Sequence, residues 1–137
     1  MLNKIILIGR LTKDPEMRST TSNISVTTFM LAVDRSFTNQ QGEREADFIP
    51  IVTWRKLAET CARYLTKGRL VAVSGRLQVR SYEDNNGQRR YISEVVADEV
   101  KAVRNIPLTN KTKSRRHRIL LTLWKMTMSF HSNMTGG

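Results

Sequence analysis

The first hundred residues alternate short apolar runs with polar, turn-rich segments. "NKIILIGRL" (3–11) is a short run rich in β-branched residues and predicts a strand inside a sheet. "DPEMRSTTSN" (14–23) is polar and reads as a loop. "ISVTTFMLAVDRSF" (24–37) predicts a long second strand, and "TNQQGERE" (38–45) a polar hairpin loop with Gly42 free to take an unusual dihedral. "ADFIPIVTW" (46–54) predicts a third strand. Pro50 has no N–H to give a ladder, so it places an edge or a bulge there.

The period then changes. In "RKLAETCARYLTKG" (55–68), Leu57, Ala58, Cys61, Ala62 and Leu65 fall on one face of a helix, with Gly68 suited to its C-terminal cap. Cys61 on that face reads as a small buried hydrophobe. "RLVAVSGRLQVRSY" (69–82), "EDNNGQ" (83–88) and "RRYISEVVADEVKAV" (89–103) predict a long hairpin closed around an Asn-Gly turn. Five strands with one short helix between the third and fourth is the element order of an OB-fold. The expected class is all-β: a five-stranded Greek-key barrel used for oligonucleotides. Beyond Arg104 the periodicity stops, which divides the chain into a domain over 1–104 and a basic tail over 105–137, expected to be disordered.

Charge sharpens this picture. Lys+Arg 23 against Asp+Glu 12 leaves +11 at neutral pH. All the acidic residues precede Ile106, while six of the basic ones follow it. The domain is moderately basic, the tail strongly so, and a polyanionic partner is expected. A lone cysteine allows no intramolecular disulfide. No run reaches the roughly 18 apolar residues that a membrane-spanning helix needs, so a cytoplasmic, nucleoid-associated protein is expected.

Alternation in "RLQVRSY" puts Arg76, Gln78, Arg80 and Tyr82 on one face, with Leu77 and Val79 on the other and expected to enter the barrel. In the third strand Phe48, Val52 and Trp54 share one face and Ile49 and Ile51 the other. Both faces are apolar, so alternation leaves open which is inside. Trp54 is followed at once by Arg55 and Lys56, and Phe37 lies two residues after Arg35. Aromatics in small β domains are usually core. Interleaved with cations they are what sequence-tolerant single-strand binding needs, because every base has a π-face to stack and every nucleotide a phosphate to neutralise. Phe37, Phe48, Trp54 and Tyr82 are therefore candidate stacking residues, and Arg35, Arg55, Lys56, Arg76 and Arg80 candidate phosphate partners. An enzyme finds no support: His117 and His131 lie in the tail, the carboxylates are scattered, and no Cys/His cluster or phosphate-cradling glycine loop is present. No metal and no cofactor are expected.

"LIGRLTKDPEMR", "FMLAVDRSF", "GEREADFI", "WRKLAE" and "YLTKGRLVAVSGRLQVRSYEDNNGQRRYISEVVAD" together closely resemble the bacterial single-stranded DNA-binding protein family, from Met1 to about Arg104. The resemblance is nearest to Gram-positive and prophage members. It implies an OB-fold, a homotetramer, and single-stranded DNA held over its surface in replication, recombination and repair. It also matches family stacking positions to Phe37, Phe48, Trp54 and Tyr82, and family cationic positions to Lys56 and Arg80. Arg35, Arg55 and Arg76 rest on their own pattern. The competing reading is a replication-restart or phage adaptor of similar fold that works through protein–protein contacts.

The departure comes after Arg104. Family members continue into a Gly/Gln/Pro/Asn-rich linker and an acidic tip that docks partner proteins; here neither is present, and that docking is expected to be lost. The tail also reads as an ordinary one out of frame. Codons compatible with "LTLWKMTMSFHSN" (121–133) spell "DIVEDDDVIPF" and a stop when read from the third base of the first. Trp124–Lys125 is forced to yield Glu and Met126–Thr127 Asp, while Phe130–His131 allows only Ser or Pro. Codons in the gene incompatible with an acidic ending in that frame would reject this reading. Two plainer readings stand beside it: a short amphipathic helix over Leu120, Leu121, Leu123, Trp124 and Met128, or a DNA-binding extension through "NKTKSRRHR" (110–118).

Overall fold

β1 (Ile5–Leu11), β3 (Ser25–Thr38), β4 (Arg44–Trp54), β5 (Leu70–Glu83) and β6 (Arg89–Ala102) close into a barrel, in a computed structural model that describes residues 1–104. The sheet runs β1-β5-β6-β4-β3, and β1 closes it by pairing Arg10 and Leu11 with Ala32 and Leu31 of β3. All neighbours are antiparallel except β4 and β6, which meet in parallel at Ile51–Val95 and Val52–Val96. One helix, α1 (Arg55–Tyr64), separates β4 from β5. This is the expected five-stranded barrel with one short helix. The expected tail lies outside the described residues.

The segment read as a loop contains one more strand. β2 (Glu16–Ser19) pairs with Ser25–Thr28 at the edge of β3, outside the barrel's closure. All four of its residues are exposed, so it buries no face and leaves no apolar alternation to read.

The core is built from alternate positions of every barrel strand: Leu11, Phe29, Leu31, Ile51, Val71, Val73, Val95 and Ala97, with Cys61 and Leu65 from the helix and its exit. Burial also pushes the Cys61 thiol up from its ordinary value. Of two fully buried threonines, one ties the helix to this core and the other ties β4 to β3. Thr27 Oγ1 donates to the Ala58 carbonyl at 2.7 Å, and Thr53 Oγ1 donates to the Thr27 carbonyl at 3.0 Å. Each such bond contributes about 1 kcal/mol, and losing one partner would strand a buried polar group.

The helix is shorter than its period suggests. It stops at Tyr64, and the Leu65 amide still reaches the Cys61 carbonyl at 3.0 Å. Gly68 is therefore not its cap. It sits at φ 82° in the turn that follows, where its N–H donates to the Leu11 carbonyl at 2.8 Å. The start of the helix is strained: Arg55 adopts φ 59°, a left-handed conformation, as the chain turns out of β4. For a residue with a Cβ this costs about 1–2 kcal/mol, whereas glycine's extra chain entropy costs about 0.5–1. Arg55→Gly is expected to raise stability by about 0.5–1 kcal/mol. A urea midpoint that falls below that of the parent chain would contradict this.

Two hairpin arms run past the barrel, β3–β4 and β5–β6. Each is closed by one side chain gathering the amides of its turn. Asn39 Oδ1 accepts from the Gln41 and Glu43 amides, and Asp84 Oδ1 from Asn86 and Gln88 at 2.9 and 3.0 Å. Arg90 Nε donates to the other Asp84 oxygen at 2.9 Å. That bond, with the two amides, holds the Asp84 carboxyl below its ordinary value. What the ionised carboxylate adds to the turn is thus present above the ordinary aspartate range and lost only as pH falls through the lowered value. The Asn86 and Gln88 amide resonances are expected to titrate with a midpoint below that range, and Asp84→Asn to abolish the titration. A midpoint at the ordinary value would count against the bond.

Candidate nucleic-acid interface

Strand register decides the question that alternation left open in β4. Ile49 and Ile51 turn into the barrel, and Ile51 is wholly buried; Phe48, Pro50, Val52 and Trp54 take the outer face. Pro50 pairs with Met30 of β3, and β6 begins to pair only at Ile51, so the missing N–H falls where β4 has an open side. Val52 lies beside Val96 of β6, and Val96 beside Arg76 of β5. The outer face therefore continues across the sheet to Arg76, Gln78, Arg80 and Tyr82, alternating along β5. Opposite them on β6 stand Val96, Glu94, Ile92 and Arg90.

One face of the sheet thus carries Phe48, Trp54 and Tyr82 among the stacking candidates, and Arg76 and Arg80 among the cations, joined across the buried Val52 and Val96. Phe48 is 65% exposed, Trp54 43% and Tyr82 46%. Large aromatics left this open on a β barrel have not been recruited to its core, which is already filled. Lys56 and Arg55 follow directly from Trp54 on the first turn of α1, both exposed. Among the described residues, Arg55, Lys56 and Arg76 have no ion-pair partner.

Two candidates are placed differently. Phe37 is 67% exposed but lies in the β3–β4 arm where the register slips between Asp34 and Thr38, so ladder pairing does not align it with the others. Arg35 is committed within the chain. Its Nη2 and Nε donate to Asp47 Oδ1 at 2.7 and 3.1 Å, and its Nη1 to Glu45 Oε2 at 2.8 Å. The pair raises the guanidinium further and holds the Asp47 carboxyl below its usual value, chiefly through their hydrogen bond. Arg35 is thus already paired within the arm, where the sequence pattern alone predicts an open cation. Leu77 and Val79 correct a further expectation. They face the barrel side of β5 but are 45% and 58% exposed, because the arm has by then left the barrel.

The structure adds Glu94 to this site. It is 8% exposed on this same outer face, and its Oε1 accepts from Arg80 Nε at 3.0 Å. Its place in the alternation of "RRYISEVVAD" was the available signal. Among the described residues no cluster of His, Cys, Asp or Glu is arranged to hold a metal ion, and no helix is long and apolar enough to cross a membrane.

An OB-type barrel whose outer face sets aromatics among cations is the form of a single-strand nucleic-acid binder. The model of the single-strand binding protein family matches residues 2–103, and the chain belongs to that family. It is 63% identical over 101 residues to a single-stranded DNA-binding protein of Caldanaerobacter subterraneus subsp. tengcongensis, a match covering 74% of this chain and 67% of that one. It is 60% identical over 100 residues to single-stranded DNA-binding protein 2 of Staphylococcus aureus strain Mu50, covering 73% and 71%. A Listeria monocytogenes single-stranded DNA-binding protein 2 is 57% identical over 100 residues, covering 73% and 62%.

Proposed function

We propose that this protein binds and protects single-stranded DNA with little sequence preference, without catalysing a reaction, in cytoplasmic replication, recombination and repair. The observation that carries this reading is the single outer face shared by Phe48, Trp54, Tyr82, Arg76 and Arg80. Bases stack on the three aromatics, with Phe37 at the arm as a fourth platform. Lys56, Arg55, Arg76 and the outer nitrogens of Arg80 neutralise phosphates and release counterions. The names of its relatives support the same ligand.

The chain acts as a homotetramer in this reading. What supports assembly is apolar surface that a single copy leaves open: Ile6 and Ile8 on β1, and Leu77, Val79 and Tyr91 on the β5–β6 arm. Docking of repair and replication proteins through an acidic segment is not carried by residues 106–137, which contain no acidic residue.

A fluorescence titration with poly(dT), using Trp124→Phe so that Trp54 alone reports, tests the function. Tight, stoichiometric quenching that weakens steeply with salt is the expected result. Weak binding without quenching would favour an adaptor acting through protein contacts.

A further inference from the structure

A nearly buried carboxylate on a face that receives phosphates is electrostatically out of place. Glu94 is that group. It stands opposite Gln78 on β5, two ladder positions from the Arg80–Ile92 pair, with Arg76 and Tyr82 on the same face. Its side chain is 11% exposed and that of Arg80 53%. The bond between them uses Nε alone, and among the described residues the two Nη groups of Arg80 have no hydrogen-bond partner. A guanidinium is a rigid planar fork, so fixing Nε fixes the direction of both Nη groups.

The geometry points to Glu94 as a positioning residue for DNA binding. Its carboxylate holds Arg80 by the inner edge, so that the outer edge is set in advance to meet a backbone phosphate beside the base on Tyr82. The cost is one negative charge near the strand; the return is that Arg80 loses no side-chain freedom when DNA arrives. This inference rests on the proposed binding of single-stranded DNA.

Charge alone and positioning predict opposite signs, which makes the test sharp. The full chain, Glu94→Ala and Glu94→Gln are titrated with oligo(dT) over a salt series. If Glu94 merely repels phosphate, both variants bind more tightly. If it positions Arg80, Glu94→Ala weakens binding roughly tenfold. Its log–log salt slope also shrinks by about 0.7, the share of one phosphate on a single strand. Glu94→Gln, whose amide oxygen still accepts from Nε, binds at least as tightly as the parent. In an Arg80→Gln background, Glu94→Ala brings no further loss. Tighter binding by Glu94→Ala, equal losses in Glu94→Gln and Glu94→Ala, or an undiminished loss with Arg80→Gln present would each overturn the inference. Failure of the parent chain to bind oligo(dT) would instead reject the functional reading beneath it.

Discussion

Replacing Phe48, Trp54 and Tyr82 together by alanine is expected to weaken oligo(dT) binding by at least a hundredfold while leaving the fold intact. Each base stacked on an aromatic contributes about 1–3 kcal/mol, and three such losses sum to about 3 kcal/mol at the low end. The barrel should hardly register the change. None of the three belongs to the buried core, and exposed substitutions typically move stability by no more than about 0.5 kcal/mol each. Binding by fluorescence anisotropy with a labelled oligonucleotide, alongside a urea melt, separates the two effects. A triple variant that keeps parental affinity would remove stacking from the mechanism. One that melts early would show that the aromatics hold the sheet.

The second large effect is structural. At Gly75 the β5–β6 register slips: Ser74 faces Glu99, Gly75 faces Ala97, and Asp98 is the extra residue. A Cβ on Gly75 would lie 2.2 Å from the Val96 carbonyl oxygen and 2.8 Å from the Ala97 Cα. Both are main-chain atoms of a paired strand, so no side chain can swing aside. Gly75→Ala is expected to cost about 3 kcal/mol or more, the upper end of overpacking. It should also weaken DNA binding, because Arg76, Arg80 and Tyr82 follow on the same strand. Gly42→Ala is the control: its φ of 78° strains an alanine, but a Cβ there meets nothing within 4 Å, so the loss is expected near 1 kcal/mol. Denaturant midpoints of equal size for the two variants would contradict the close approach at Gly75.

Period carried much of the architecture. The helical face of Leu57, Ala58, Cys61, Ala62 and Leu65 was legible because a 3.6-residue repeat among β-rich runs has few other readings. The outer face of β5 was legible because arginines alternate with aliphatics. Alternation tells which face a residue is on, and not how far along the strand the partner layer extends. For that reason Leu77 and Val79 were expected inside a barrel that ends before them. Nor can it rank two apolar faces, which in β4 only pairing with β3 and β6 resolves. β2 has no buried face and so had no pattern. Arg35 looked like an open cation because the Glu45 and Asp47 that bind it lie on the next strand, ten and twelve residues away. The Arg80–Glu94 bond crosses a hairpin in the same way. Contacts set by register are where a one-dimensional reading of the site fell short.

Photo-cross-linking of the full chain to an oligo(dT) carrying iododeoxyuridine, with the linked residues mapped by mass spectrometry, shows directly where single-stranded DNA lies. Cross-links are expected to concentrate on Phe48, Trp54 and Tyr82, on the outer face of β4 and β5. Cross-links confined to the basic segment beyond Arg104, or to Ile6 and Ile8 on β1, would contradict it.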